Sequence, residues 1–193
     1  MRVLQTIPDC TLHELAVEDL PALQSFYEVN PLYWQQCLGQ APAPTEAHED
    51  FFGGPPTDWP KTRQWTIGIT ARESELAGAA GLISDLFIES VWHIGFFMVA
   101  TRLHGDGSAQ RMYAVLEDWM RAQGARWLRL GVVIGNTRAE RFWQRRGYLE
   151  VRRRPGVEMG RRVNDLRVMV KPLTGAPLDE YLSRVSRDRP DPL

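Results

Sequence analysis

The segment Arg102-Leu-His-Gly-Asp-Gly-Ser-Ala109 lies between an apolar run, 91–99, and a helical pattern of apolar residues that begins at Ser108. Gly105 and Gly107 allow the backbone to turn sharply and expose consecutive N–H groups where the helix starts. Unpaired N–H groups and the helix dipole favour an anion there, and a phosphate group is the natural ligand. Alone, the pattern is a weak signal, because a tight turn between a strand and a helix uses the same residue types.

Two familiar phosphate-binding patterns do not describe this segment. A Walker loop requires a lysine and a second glycine at a spacing that the sequence lacks. A dinucleotide fingerprint requires a small residue where Gln110 stands and an acid about 20 residues later. Arg126 and Arg129 occupy that later region, so the segment is a poor candidate for a Rossmann dinucleotide site.

The rest of the chain shows strand and helix patterns that glycine and proline interrupt. Before the glycine-containing segment, they predict strands over 10–15, 64–71, 76–86 and 91–99, and helices over 18–29, 32–38 and 46–52. After it, they predict helices over 108–124 and 136–147, strands over 126–134, 148–153 and 163–171, and a helical turn around 179–185. Short connections between the strands of residues 64–99 favour antiparallel neighbours. The predicted class is α/β with a mixed central sheet.

The composition is that of a single soluble domain. The 193 residues are 44% hydrophobic and 24% charged, which suffices for a core without metal or disulfide crosslinks. The chain has no apolar run of about 18 residues and no signal-peptide pattern, so we expect a cytoplasmic protein. Cys10 and Cys37 have no CxxC spacing, and we expect neither a redox pair nor a metal site.

The net charge of −1 argues against nucleic acid and membrane surfaces as partners. This average hides a gradient along the chain. Residues 1–60 contain one basic and nine acidic residues, whereas residues 138–167 contain ten arginines and four acids. The two segments therefore suit partners of opposite charge.

Three blocks together resemble the GCN5-related N-acetyltransferase (GNAT) family: R-x-x-G-x-G at 102–107, GARWLRLGVVIGN at 124–136, and N-x-x-A-x-x-F-W-x-x-x-G-Y at 136–148. The resemblance implies an α/β fold with a mixed, mostly antiparallel central sheet, flanked by helices and splayed at a cofactor cleft. It implies a single acetyltransferase-like domain over 1–173 and leaves 174–193 as a C-terminal tail with a short helix.

The resemblance also implies an acetyl-CoA site. The backbone N–H groups that would surround the pyrophosphate belong to His104, Gly105, Asp106, Gly107, Ser108 and Ala109. The groups that would contact the pantetheine arm are the backbone of Phe97, Met98 and Val99, the side chain of Asn136, and Trp143. Asp106 stands where relatives usually have an aliphatic residue. We expect its carboxylate to point away from the pyrophosphate, because like charges repel.

Trp143 stands where many relatives have a tyrosine that is thought to protonate the leaving thiolate. An indole has no proton to give at neutral pH, and a thiol pKa of about 8.5 lets the thiolate leave without one. His93 is the candidate general base, because an unperturbed imidazole accepts a proton at about pH 6.5. Asp85 and Glu89 are competitors for this role, and a purely structural role for His93 is an equal alternative.

These inferences predict a metal-free N-acetyltransferase that transfers an acetyl group from acetyl-CoA to a small primary amine by direct attack. The acidic segment, 1–60, falls where such enzymes border the acceptor, which predicts a cationic amine. Two alternatives stay open: a catalytically silent acyl-CoA-binding or regulatory domain, and an NADP-binding module that NADPH rather than acetyl-CoA would stabilise. Dimers are common in the family, so a homodimer is an expectation, although no sequence feature establishes it.

Overall fold

The computed structural model describes residues 1–71, 75–173 and 175–190. Its strands are β1 (Arg2–Ile7), β2 (Cys10–Glu14), β3 (Arg63–Thr70), β4 (Leu76–Ser84), β5 (Val91–Val99), β6 (Trp127–Val133), β7 (Leu149–Met159) and β8 (Arg162–Pro172). They form one sheet of eight strands in the order β1-β2-β3-β4-β5-β6-β8-β7. Only β5 and β6 pair in parallel among these neighbours, so the predicted mixed, mostly antiparallel sheet is confirmed.

Helices cover both faces of the sheet. They are α1 (Leu20–Val29), α2 (Leu32–Cys37), α3 (Glu46–Phe52), α4 (Ser108–Ala122), α5 (Thr137–Arg145) and α6 (Leu178–Arg184). Tyr27 and Trp34 pack on one face against Met98, whereas Leu116 and Trp143 belong to the larger core on the other face. None of the helices in the described ranges is long and apolar enough to cross a membrane.

Two strands differ from the sequence prediction. Strand β1 was not predicted, because it is an edge strand with mostly exposed residues and therefore has weak alternation. Strand β7 continues to Met159 rather than ending at Arg153, although Pro155 and Gly156 are typical of a loop. A register shift between Arg154 and Val157 accommodates both residues within the pairing with β8.

The parallel pair β5–β6 opens partway along its length. Its register runs from Val91↔Trp127 to Ile94↔Leu130 and does not continue toward Val99. Gly95 also lacks a partner in β4, because Gly81 pairs with Phe96 and the next residue of β4 pairs with Ile94. Such a bulge bends a strand and increases its twist. The two strands therefore diverge beyond Ile94, which is the predicted splay.

The C-terminal segment packs onto the sheet beside α1–α3. The short helix that we expected around 179–185 is α6, and its Tyr181 is fully buried. Beyond it, the carboxylate of Asp188 accepts hydrogen bonds of 2.6 and 2.9 Å from the guanidinium group of Arg129 on β6. This ion pair and the surrounding apolar cluster hold residues 178–188 against β6 and β8.

Candidate active site

A cleft of about 620 Å³ opens where β5 and β6 diverge. Its walls come from the end of β5, the loop of residues 100–107, and helices α2, α4 and α5. The residues from our sequence prediction that line it are Phe97, Met98, Val99, His104, Gly105, Gly107, Ala109, Asn136 and Trp143. The structure thus brings together nine residues from two sequence blocks that lie about 30 positions apart.

The loop before α4 has the conformation that its glycines permit. Gly105 and Gly107 have φ values of 93° and 85°, a region that residues with a β-carbon rarely adopt. Not all of the predicted N–H groups point to a ligand, however. The N–H of His104 donates to the carbonyl of Thr101, and that of Ser108 donates to the carboxylate of Asp106.

The prediction of six phosphate-binding N–H groups is therefore reduced to four. Those of Gly105, Asp106, Gly107 and Ala109 have no hydrogen-bond acceptor in the described part of the chain. The sequence did not reveal that two N–H groups of this loop bond to acceptors within the loop itself, because those hydrogen bonds depend on the backbone conformation.

Asp106 lies outside the cleft lining, as its charge leads us to expect. Its Oδ1 accepts a hydrogen bond of 2.8 Å from the N–H of Ser108, the first residue of α4. Hydrogen bonding by this N–H group lowers the pKa of the Asp106 carboxyl. The carboxylate therefore binds the first N–H group of α4 from outside the helix and leaves the inner side of the loop to a ligand.

The side chain of His104 connects two walls of the cleft. Its Nε2 lies 2.9 Å from the carbonyl oxygen of Val99, and its Nδ1 lies 2.7 Å from the guanidinium group of Arg138. A neutral imidazole with its proton on Nε2 satisfies both contacts, since it donates to the carbonyl and accepts from the guanidinium. The carbonyl of Val99, predicted to pair with a pantetheine amide, is thus already bonded in this structure.

Asn136 and Trp143 lie near opposite ends of α5, where this helix lines the cleft. The Oδ1 of Asn136 accepts a hydrogen bond of 3.2 Å from the N–H of Ala139 and caps α5, which leaves its amide NH₂ for a ligand. Trp143 is 8% exposed and packs edge-on against Tyr113, with ring centroids 5.2 Å apart. Its indole is therefore a fixed apolar wall rather than a mobile group.

The sequence predicted only part of the positive charge that lines the cleft. Its lining includes Arg138, Arg141, Arg145 and Arg146 and, as far as the structure describes the chain, contains neither Asp nor Glu. None of the four forms an ion pair within the described residues, since the nearby Glu140 binds Arg167 instead. The Nε of Arg146 is buried without a hydrogen-bond partner. A site with four unpaired guanidinium groups fits a ligand that carries several negative charges.

A signal for two of these arginines was present in the sequence. Arg138, Arg141 and Arg145 are spaced at i, i+3 and i+7, which places them on one face of a helix. We did not assign Arg138 or Arg141 to the site from the sequence. The helical spacing, applied to charged rather than apolar residues, would have identified the stripe.

His93 is not brought to the cleft. It lies on β5 where the strand still pairs with β6, and its Nδ1 is 3.1 Å from the carbonyl oxygen of Arg129. Burial, together with the positive charge of Arg129, lowers the pKa of His93 to about 3. The imidazole is therefore neutral but weakly basic, and its surroundings resemble those of a structural residue rather than a general base.

The acidic N-terminal segment does not line the cleft either. None of the nine acids in residues 1–60 is among its lining residues. Asp50 on α3 is connected to β5 through Tyr27: its carboxylate accepts a hydrogen bond of 2.9 Å from the Tyr27 hydroxyl, and the Tyr27 ring contacts Phe96 on β5. Burial raises the pKa of Asp50 to about 6. An acid thus lies behind the aromatic wall of α1 and α2, on the face opposite α5.

The sequence pattern of the acetyltransferase (GNAT) family matches residues 23–148, from α1 to the end of α5 and the following Tyr148. The chain belongs to the GNAT family. It is an N-acetyltransferase by family, and members of this family use acetyl-CoA. The match includes the loop before α4 and all four cleft arginines.

Solved GNAT structures share this fold at low sequence identity. An acetyltransferase from Thermus thermophilus aligns over 89% of this chain and 99% of its own, with 18% identity and a TM-score of 0.67. A Salmonella typhimurium acetyl transferase that modifies the N-terminal serine of ribosomal protein L7/L12 aligns over 90% and 100%, with 14% identity and a TM-score of 0.69.

A third GNAT structure was solved with CoA and an amine bound. The spermidine N-acetyltransferase from Vibrio cholerae, in complex with CoA and spermine, aligns over 84% of this chain and 95% of its own, with 17% identity and a TM-score of 0.65. None of the curated proteins matches the chain at a significant level. These similarities establish the fold, and the acceptor has to be inferred from this chain's own residues.

Proposed function

We propose that this GNAT protein transfers the acetyl group of acetyl-CoA to a small primary amine by direct attack. The observation that carries the proposal is the cleft at the divergence of β5 and β6: among the described residues, its lining has four arginines without an acidic partner and no carboxylate. CoA carries a pyrophosphate and a 3′-phosphate, so its charge is complementary to such a lining. Acetyl-CoA would supply the thioester whose carbonyl carbon is the electrophile.

Two groups of residues would bind the nucleotide end. The four free N–H groups of the loop before α4 lie at a helix N-terminus, where they would bind the pyrophosphate. Arg141, Arg145 and Arg146 on the α5 side of the cleft would bind the remaining phosphate charge. Arg138 is held by His104, so a ligand that reaches it must share or replace that hydrogen bond.

The residues near the divergence would position the thioester arm. Phe97 and Trp143 provide apolar walls, and the free amide NH₂ of Asn136 would donate a hydrogen bond to a pantetheine carbonyl. Gly95 has no register partner in β4 or β6. Its backbone would therefore be available beside the reacting carbonyl, where an N–H donor stabilises developing negative charge.

Proton transfer would not depend on Trp143 or His93. Trp143 cannot protonate the thiolate, and His93 points its ring nitrogen at the Arg129 carbonyl away from the cleft. We propose that a neutral amine attacks, that the C–S bond breaks with the thiolate as leaving group, and that the surplus ammonium proton passes to water. Positioning of the two reactants would provide most of the rate enhancement.

The acceptor that the charge distribution favours is a cationic amine. Asp50, with Glu46 and Glu49 on the same helix, lies on the face opposite the arginines. An acceptor that approached from this face would meet negative charge before it reached the thioester, whereas CoA would meet positive charge on its own side. The acids lie outside the cleft lining, so they would attract the acceptor at a distance.

A second candidate is a domain that binds acyl-CoA without turnover. The tryptophan at position 143 favours it, because this residue occupies the place of the family's usual acid. Calorimetry with CoA and a thiol-release assay with acetyl-CoA and a panel of amines separate the two. If the protein is an acetyltransferase, it should bind CoA and should release thiol from acetyl-CoA only when an amine is present. The product should then be heavier than the amine by one acetyl group. CoA binding without thiol release across the panel would favour the silent domain.

A further inference from the structure

Asn30 is a buried side chain at the point where α1 ends. It is 7% exposed and belongs to the lining of the arginine cleft, by which we mean the cleft that contains the four arginines. Its Nδ2 donates a hydrogen bond of 2.8 Å to the carbonyl of Phe26, and its Oδ1 accepts one of 2.7 Å from the N–H of Thr101. The orientation of the amide is therefore fixed, because a flipped amide would oppose donor to donor and acceptor to acceptor.

The N–H of Thr101 belongs to the turn that leads into the loop before α4. Residues Thr101–Leu103 form a 3₁₀ turn, in which the N–H of His104 donates to the carbonyl of Thr101. The first N–H groups of such a turn have no acceptor within it, and a side chain just before the turn commonly provides one. Here that residue is Ala100, which has no side-chain acceptor. Asn30, which lies 71 positions earlier in the chain, provides the acceptor instead.

The glycines that follow this turn have little packing of their own. Within the described ranges, a β-carbon at Gly105 would meet no atom within 4 Å, and one at Gly107 would meet only the guanidinium group of Arg111. The position of their backbone therefore depends on α4 at one end and on the turn Thr101–Leu103 at the other. Asn30 is thus placed to determine where the free N–H groups of the loop lie.

We propose that Asn30 is a positioning residue, whose side chain fixes the loop before α4 to the end of α1 in the geometry that binds the pyrophosphate of CoA. The proposal rests on the acetyltransferase function proposed above. N–H groups that are already in place bind an anion more tightly, because binding does not have to order them. Since α1 belongs to the face where we expect the acceptor, the same amide connects the two proposed substrate sides.

Direct contact between Asn30 and CoA is the competing explanation, because this residue lines the cleft. The two explanations differ in their dependence on the N–H of Thr101, which Thr101→Pro removes. The first position of a helical turn tolerates proline. Ala100 has φ −48° and ψ 132°, an extended conformation of the kind that a residue before proline favours. If Asn30 acts through the loop, its effect on CoA binding should disappear in this variant.

Calorimetry with CoA tests the proposal on the wild type, Asn30→Ala, Thr101→Pro and the double variant, which together form a double-mutant cycle. We expect each single substitution to weaken CoA binding about tenfold, because the loop is then no longer held in place. The double variant should bind CoA no more weakly than Thr101→Pro does.

Asn164→Ala is the matched control. Asn164 is 8% exposed, and its Nδ2 donates a hydrogen bond of 2.8 Å to the carbonyl of Cys37. Neither of these two residues lines the cleft. The control should lower the thermal midpoint, because it leaves a backbone carbonyl without its donor. Its CoA affinity should stay within about twofold of the wild type, since distant sites act independently.

The thermal midpoint also shows whether Asn30→Ala folds. It should fall as in Asn164→Ala, because the carbonyl of Phe26 loses its donor. If Asn30→Ala does not fold, Thr101→Pro removes the same hydrogen bond at an exposed residue. This variant alone should then weaken CoA binding about tenfold.

Each outcome of the cycle decides between the explanations. Unchanged CoA affinity in Asn30→Ala or in Thr101→Pro would overturn the positioning role and leave the acetyltransferase function standing. A further loss of affinity in the double variant would also overturn it, since Asn30 would then contact CoA directly. So would an equal loss in Asn164→Ala, which would mean that the effect follows from lost stability. If the wild type bound no CoA, the proposed function would fail and the positioning role with it.

Discussion

The two sides of the sheet at the divergence of β5 and β6 are built in different ways. Most of the arginine cleft comes from two blocks, the end of β5 with its loop and the helix α5, and each block carries its own local signal, whereas α2 adds Leu32, Tyr33 and Gln36. The opposite side combines α1–α3, the β4–β5 turn and the C-terminal segment, which lie far apart in the chain. The proposed cofactor site is made of local turns and can be identified from sequence, whereas the proposed acceptor site is assembled by long-range packing and cannot.

The largest expected effect concerns the acceptor side, where Asp188 holds the C-terminal segment to Arg129. Their side chains are 0% and 7% exposed, so Asp188→Asn would leave a buried guanidinium group without its counter-charge. We expect a loss of about 3 kcal/mol in the free energy of unfolding, measured with urea. CoA binding should be retained, because neither residue lines the cleft.

The matched control is Asp118→Asn, which removes an aspartate paired with Arg121 at an exposed position of α4. It should cost less than about 1 kcal/mol, as exposed ion pairs do. If the two substitutions had equal effects, the C-terminal segment would not be anchored by Asp188 in the way that the structure indicates.

The second prediction concerns the cofactor side. The double change Arg141→Gln and Arg145→Gln should weaken acetyl-CoA binding by about 100-fold, because each removes a charge-assisted contact of about 1.4 kcal/mol. The dependence of affinity on salt should decrease in parallel. Arg184→Gln on α6 is the control, since this arginine lies outside the cleft and pairs with Glu180. Calorimetry at two salt concentrations measures both effects, and an unchanged affinity would exclude these arginines from the site.

A smaller effect is expected at the wall between the two sides. Trp143→Phe should raise the KM for acetyl-CoA several-fold, because a smaller ring fills less of the wall, and should leave the pH–rate profile unchanged. Steady-state kinetics across pH distinguishes these quantities. A steep fall in kcat at unchanged KM would mean that the indole takes part in the chemical step.

The smallest effect on activity is expected at His93. His93→Gln should keep the wild-type pH–rate profile, because a group whose pKa is about 3 does not change charge between pH 5 and 9. If the fall in rate at low pH disappeared in this variant, His93 would again be the candidate general base.

Stability should respond to pH at this residue in a defined direction. The folded pKa of His93 lies below its unfolded value, so the unfolded chain binds a proton first as the pH falls. The wild type should therefore lose stability as the pH falls from about 6.5 toward 3, and His93→Gln should lose less over that interval. Urea unfolding at several pH values measures the difference.

The sequence predicted the parts of the structure that depend on neighbours in the chain. Gly105 and Gly107 identified the loop because their positive φ values are a local requirement, and Asn136 identified the start of α5 because an N-cap acts three residues away. The same locality explains why the strand patterns of β3, β4 and β5 predicted antiparallel pairs.

Other features depended on contacts that only the fold creates. The low basicity of His93 comes from burial beside Arg129, which lies 36 positions later. The burial of Asp188 comes from an ion pair that spans 59 positions. The clustering of nine acids in residues 1–60 predicted an acidic wall at the acceptor, but most of these residues lie elsewhere and only α3 brings acids near the aromatic wall. The acidic composition of residues 1–60 therefore places negative charge near the cleft only at α3 and not in the cleft lining.

The most direct test of the account is thiol release from acetyl-CoA by the wild-type protein, measured with and without a panel of primary amines and combined with the mass of the product. We predict release that requires an amine, a product heavier by one acetyl group, and loss of the signal in the Arg141→Gln, Arg145→Gln variant at acetyl-CoA concentrations that saturate the wild type. Amine-independent release, or CoA binding with no release for any amine, would contradict it.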